Sequence, residues 1–353
     1  MNVRLFLSVL SLLAGPVHAQ GFAGLGTQAD GFAVPGRPAV FDFPADHGPH
    51  PDYRIEWWYL TATLDGADGA EYGVQWTLFR SALAPETAVG WDAPQLWMGH
   101  AGLTTPNAHY SAERLARGGI GQAGVTAAPF EAWIDDWAMT SAAEPGADAL
   151  SALDLAARGP DFSYDLSLAA QGPLIFHGEA GYSVKSSEGQ ASYYYSQPFY
   201  SVTGTLTLPG GTVPVTGTAW LDREWSSQPL SDTQDGWDWF SLQFADGSRM
   251  MGFGLRDRAG AVYTSATWIA PDGSTISYPD GALRLTPVAR TDVDGRDIPT
   301  GWRVELPEQG LDITTTPVNA HSWMDVSFAY WEGPIRFSGS HQGRGYLEMT
   351  GYD

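Results

Sequence analysis

Three short stretches of this chain set carboxylates beside indole rings: Glu56-Trp57-Trp58-Tyr59, Trp220-Leu221-Asp222-Arg223-Glu224-Trp225 and Trp237-Asp238-Trp239-Phe240. In an extended strand alternate side chains share a face. Glu56 and Trp58 then face one way, and Trp57 and Tyr59 the other. Trp220, Asp222 and Glu224 share a face, with Arg223 and Trp225 opposite. Trp237 and Trp239 share a face, with Asp238 and Phe240 opposite. A carboxyl group desolvated against such rings has its pKa raised and stays protonated near neutral pH. A protonated acid of that kind can donate to a carbon–carbon double bond, and indole faces stabilise the resulting cation. Water capture then gives hydration, proton loss gives isomerisation, and attack by an internal double bond gives cyclisation. Asp222 is the first candidate acid and Glu56 the second. Trp57, Trp58, Tyr59, Trp237 and Trp239 are the candidate cavity walls, joined by Arg223, Glu224, Trp225 and Asp238. The plainer alternative is that the rings fill barrel cores and the acids pair with arginine: Glu56 with Arg54 or Arg223, and Glu224 with Arg223.

His47 and His50, flanked by Asp46 and Asp52, invite a metal reading. Helical metal-binding histidines sit four apart. Here the spacing is three, in a loop stiffened by Pro44, Pro49 and Pro51, so a turn sealing a barrel end is expected and no metal. His47 stays a candidate for proton transfer at the barrel mouth. Gly119-Ile120-Gly121-Gln122-Ala123-Gly124 fits a dinucleotide pattern, but no apolar strand precedes it and Pro129 interrupts the helix it needs. Gly339-Ser340-His341-Gln342-Gly343 has its serine one place early for a nucleophile elbow. No serine hydrolase is supported, and no cofactor is expected.

The elements that would hold these residues are strands. The chain has 42 Gly, 24 Pro and 15 each of Trp, Tyr and Phe, which favours many short strands joined by turns. Phe162, Tyr164, Leu166 and Leu168 alternate with polar residues, after Leu153, Leu155 and Ala157, across Arg158-Gly159-Pro160-Asp161; this predicts a hairpin with one apolar face. Tyr59 to Leu64 and Tyr72 to Leu78 predict a second, around Asp65-Gly66. Trp302, Val304 and Leu306 alternate, as do Leu311 and Ile313.

The chain also repeats itself. Aligning Asp65-Gly66 with Asp246-Gly247 sets Trp58 on Trp239, Tyr59 on Phe240 and Glu56 on Trp237. Tyr195-Ser196-Gln197-Pro198 resembles Trp331-Glu332-Gly333-Pro334, and Trp220-Leu221-Asp222 resembles Tyr346-Leu347-Glu348. The economical reading is two related all-β domains of antiparallel strands, each a barrel or sandwich.

Met1 to Ala19 carries an early Arg4, an apolar run Leu5 to Ala14, and Val17-His18-Ala19 before Gln20. This reads as a secretory signal cleaved after Ala19, with an apolar run too short to span a membrane. The expected organisation is a signal peptide over 1–19, a linker over 20–40, a first barrel over 41–225 and a second over 226–353. A periplasmic or secreted protein without a transmembrane segment in its mature part follows. There is no cysteine, so the fold rests on its core without disulfides or a lipidated cysteine. The formal charge is -22, or -23 once Arg4 is removed, and Lys185 is the one lysine. Such a surface repels nucleic acid and anionic lipid.

FPADHGPHPDYRIEWWYLTATL, GTAWLDREW followed by GWDWFSLQFADG, and GRGYLEMTGY resemble the AttH/CrtC family of lipocalin-like proteins, over about Phe41 to Tyr352. That family includes carotenoid 1,2-hydratases, exported proteins labelled predicted secreted hydrolases, and fungal hydratases and pericyclic cyclases. The resemblance implies two lipocalin-like (calycin-type) β-barrels and an apolar, isoprenoid- or polyene-like ligand. The carotenoid hydratases carry histidine around the second motif, where this chain has Asp222-Arg223-Glu224-Trp225; this leans toward the exported branch. Two functions are expected to compete. One is a cofactor-independent enzyme acting on a C=C bond. The other is a periplasmic carrier of lipid or another apolar molecule, with an export system of the cell envelope as its partner.

Overall fold

The structure is a computed structural model that describes residues 29–86 and 88–352. The signal peptide read over 1–19, and the linker as far as residue 28, lie outside the described residues. The described chain is all-β; its helical content is three single 3-10 turns, Ala45–His47, Gly90–Asp92 and Pro307–Gln309. The strands form two antiparallel sheets, one curled nearly closed and the other a half-barrel, consistent with two lipocalin-like barrels. No helix among the described residues is long and apolar enough to cross a membrane.

The first sheet begins with Ile55–Gly66 and ends with Gly211–Ser226, and these two strands pair at its centre. Glu71–Ala82, Gln95–Thr104 and His109–Arg117 extend it on one side. Ala191–Leu208, Ser163–Ala170, Ala152–Arg158 and three short strands extend it on the other. The second sheet repeats the plan. Gln234–Phe244 pairs with Gly343–Met349 at the centre, flanked by Arg249–Asp257 and Val262–Ile269 on one side and Tyr330–Gly339 on the other.

Alternation decides which face each strand buries. In Ser163–Ala170 the residues Tyr164, Leu166 and Leu168 point inward against Leu153, Leu155 and Ala157, across the expected hairpin. Trp58, Leu60, Ala62 and Leu64 point into the same first core. Phe240, Leu242 and Phe244 point into the second, with Trp302, Val304 and Leu306. A third apolar cluster belongs to neither barrel: Tyr59, Tyr194 and Trp220 from the first sheet meet Trp239, Phe253 and Tyr346 from the second. The barrels therefore pack back to back through the outer faces of their central strands. At roughly 1.5–3 kcal/mol for each large side chain fully buried, this third cluster ties the domains together.

The repeat is real but its first anchor is displaced by one residue. Asp222 and Glu348 occupy matching positions, since Trp220 and Tyr346 both join the inter-barrel cluster while Leu221 and Leu347 both enter cores. Tyr59 pairs with Asp222 and Trp239 pairs with Glu348. So Tyr59 matches Trp239 and Trp57 matches Trp237, whereas the Asp-Gly alignment set Trp58, a core residue, on Trp239. The two turns close alike, Gly66 N–H bonding Ala70 as Phe244 N–H bonds Ser248, but Asp65-Gly66 ends a strand whereas Asp246-Gly247 lies inside the turn, where Asp68-Gly69 is its counterpart. Because strand side chains alternate, that one-residue slip exchanges inside for outside.

Candidate active site between the barrels

The outward faces of the four central strands leave an apolar cleft that opens to solvent. Trp57, Tyr59 and Phe79 from the first barrel face Trp237, Trp239 and Leu255 from the second. These are matching positions of the repeat, since Trp57 pairs with Phe79 as Trp237 pairs with Leu255. The Tyr59 and Trp239 rings meet edge to face at 5.2 Å. Asp222 and Glu348 line the same cleft, one from each barrel, with Lys185, Tyr194 and Glu224.

Asp222 is 2% exposed. Its carboxyl accepts from the Tyr194 hydroxyl at 2.8 Å, the Trp220 indole N–H at 2.6 Å and the Ser196 hydroxyl. Behind it, His177 Nε2 lies 2.6 Å from Ser196 Oγ. Burial pushes His177 down to about 3, so the ring is neutral. With Ser196 donating to Asp222, the His177 ring donates to Ser196 from Nε2; its Nδ1, which has no partner, is then a bare acceptor. Burial pushes Asp222 up to about 7; the three donors pull the other way and Glu224 adds to the rise. Glu348 accepts from the Trp237 indole N–H, and burial pushes it up to about 7 as well, with Asp222 and Glu224 adding to the rise. Next to it, Glu332 accepts from the Tyr59 hydroxyl and is held well above the usual carboxylate range by burial. The cleft thus presents two carboxyl groups that sit between proton donor and acceptor at neutral pH, against faces of indole and phenol rings.

Several expected members lie elsewhere. Trp58 and Trp225 belong to the first core, because they alternate with the cleft-facing residues. Arg223 lies over the Trp58 ring at 3.8 Å and donates to Glu56. Glu56 is fully buried at the end of the first barrel, held by Arg80, Arg223 and the His50 backbone N–H at 2.8 Å. Although burial opposes ionisation, the two guanidinium groups hold it well below the usual carboxylate range, which removes it as a proton donor. Asp238 faces away from the cleft and pairs with Arg256 at 2.6 Å. His47 is sealed under the same barrel end, with Nδ1 2.7 Å from the Tyr195 hydroxyl and its backbone carbonyl accepting from Trp58. It reaches no part of the cleft. The expected residues that do line it are Trp57, Tyr59, Asp222, Glu224, Trp237 and Trp239. Among the described residues, no group of three His, Asp or Glu side chains is placed to hold a metal.

Sequence reasoning missed Glu348, Tyr194 and Lys185. For Glu348 a signal existed, the match of Tyr346-Leu347-Glu348 to Trp220-Leu221-Asp222. For Lys185 it was rarity alone.

The family model for AttH-like proteins matches residues 34–352. The chain belongs to the AttH-like family. A crystal structure from Nitrosomonas europaea, described as an AttH, superposes on this AttH-like protein with a TM-score of 0.80 at 32% identity, covering 91% of this chain and 100% of that one. Kievitone hydratase from Nectria haematococca shares the fold at a TM-score of 0.68 and 18% identity, covering 91% of this chain and 96% of its own. CghA, in a structure with Sch210972, shares it at 0.58 and 13% identity, covering 93% and 98%. No curated protein sequence matches the chain. The AttH-like fold seen here is thus one that a hydratase also uses.

Proposed function

We propose that the protein binds an apolar, alkene-bearing molecule, isoprenoid- or polyene-like, in the cleft between its barrels and that Asp222 protonates a C=C bond of it. The observation that carries this reading is a buried carboxyl group, pushed up to about 7, on an aromatic cleft wall. The Asp222 O–H bond breaks, a C–H bond forms at one alkene carbon, and the π pair is consumed. The cation left on the other carbon faces Trp57, Trp237 and Trp239, worth about 2 kcal/mol per desolvated cation–π contact. Water adds and returns a proton to the Asp222 carboxylate in hydration. Loss of a neighbouring proton gives isomerisation, and attack by a second double bond followed by proton loss gives cyclisation. The kievitone hydratase fold supports a hydratase-type reaction by analogy.

A carrier of a lipid or other apolar molecule, serving an export system in the cell envelope, is the second reading. It is favoured by the three side chains that already engage Asp222. The two separate in heavy water. Molecules co-purifying from cell envelopes, identified by mass spectrometry, are incubated with the protein in D2O. An enzyme places deuterium on carbon, and Asp222→Asn abolishes this while still binding; full incorporation by that variant removes Asp222 as the acid. Recovery of unlabelled ligand from the wild type favours the carrier. Export through cleavage after Ala19 is part of the same proposal, and N-terminal sequencing of envelope material checks it.

A further inference from the structure

Lys185 is the one lysine of the chain, it is 6% exposed, and it lies in the cleft wall. Its ammonium pairs with Glu224 at 2.7 Å and sits over the rings of Tyr194 at 4.7 Å and Phe253 at 4.4 Å. The backbone around it is clamped: Lys185 N–H bonds Gln190 at 2.7 Å, and the Gln234 side chain bonds the Lys185 carbonyl at 2.9 Å. Burying a strongly hydrated ammonium costs several kcal/mol, and a buried pair such as Lys185–Glu224 holds a fold no better than apolar residues of the same volume. The placement therefore points to a ligand rather than to stability.

We infer that the ligand is not a pure hydrocarbon: it carries a neutral acceptor oxygen, of the carbonyl kind, that Lys185 holds. This rests on the apolar cleft reading above and names the substrate class. An ammonium has three donors, and Glu224 Oε1 engages one. The Tyr194 and Phe253 rings face the ammonium but accept no full hydrogen bond. A hydrocarbon filling the cleft would strip water from its remaining donor surface without supplying an acceptor, which is how buried polar groups reject analogues that lack the matching atom. An anion is disfavoured for a separate reason. Glu224 already balances the ammonium, and Asp222 and Glu348 add negative charge on the same walls as they ionise. Tyr194 spans the two functions, with its ring under Lys185 and its hydroxyl on Asp222. The oxygen is thus anchored about one tyrosine side chain away from the acid, which fixes which carbon the proton reaches.

The test uses three probes of one shape, 2-acetylnaphthalene, 2-ethylnaphthalene and 2-naphthoate, with binding followed by quenching of tryptophan fluorescence. The wild-type protein is predicted to bind the ketone about tenfold more tightly than the hydrocarbon. The difference is predicted to shrink to within about twofold in the double variant Lys185→Met with Glu224→Gln, which leaves no unpaired buried charge. Equal affinity for ketone and hydrocarbon in the wild type overturns the inference, as does a preference that survives the double variant. Tightest binding of the naphthoate overturns the neutral-oxygen class in favour of an anion. Failure of all three probes to bind removes the apolar cleft reading itself, an outcome distinct from binding without regard to the carbonyl.

Discussion

Asp222 and Glu56 are both fully buried carboxylates next to tryptophan, yet they end in opposite states, and their partners decide it. Asp222 meets only neutral donors, so burial wins and the group rises to about 7. Glu56 meets two guanidinium groups, which hold it ionised at any working pH. The sequence offered both as acids; of the two guanidinium partners of Glu56, Arg223 was already an alternative in the sequence, while Arg80, 24 positions beyond Glu56, carried no signal. Removing the Glu56 charge leaves Arg80 and Arg223 buried without it. Glu56→Gln is therefore expected to cost about 3–5 kcal/mol in urea unfolding while leaving ligand affinity of the folded fraction unchanged. A stability loss below about 1 kcal/mol would mean that water or another group compensates.

At the scale of strands, the two-residue period made the hairpins and the shared faces legible before any coordinates. Trp57 and Tyr59 do share one face, as do Asp222 and Glu224. Two things were hidden. The Asp-Gly pairs gave an anchor that slipped by one residue, because Asp65-Gly66 closes a strand whereas Asp246-Gly247 lies inside a turn of the same shape. And alternation tells inside from outside, but not which outside face a second domain will cover, so rings expected to fill a cavity were divided between a core and a cleft. The central strands also come very close. A Cβ at Gly345 would lie 2.1 Å from the Ser241 carbonyl oxygen, and one at Gly217 would lie 2.2 Å from that of Thr63. Gly345→Val is predicted to part Gly343–Met349 from Gln234–Phe244 and to destabilise the protein by about 3 kcal/mol. The loss should appear as a lower thermal midpoint together with weaker probe binding, since Glu348 rides on that strand.

At the scale of the molecule, the two barrels together form a cleft that neither contains alone. Each barrel contributes one wall: Trp57, Tyr59, Phe79 and Asp222 on one side, and Trp237, Trp239, Leu255 and Glu348 on the other. The charge state of this interface sets a pH dependence whose sign follows from the direction of the shifts. Asp222 and Glu348 rise from 3.8 and 4.5 to about 7 on folding, so their contribution is complete below about 4 and is lost as pH rises through 7. Each ionisation then costs roughly 3–4 kcal/mol. Thermal midpoints are predicted to fall between pH 5 and pH 8, and the fall to be reduced in the double variant Asp222→Asn with Glu348→Gln, with Glu332 and Asp238, also raised by burial, supplying the remainder; an unchanged slope in that variant would place the responsible groups elsewhere. The same two groups are the centre of the functional account, and infrared titration of the protonated carboxyl stretch reads them directly. The wild type is predicted to show two carboxyl groups titrating near 7, one lost in Asp222→Asn and the other in Glu348→Gln. Titration of both in the ordinary carboxylate range, with no band lost near 7 in either variant, would contradict it.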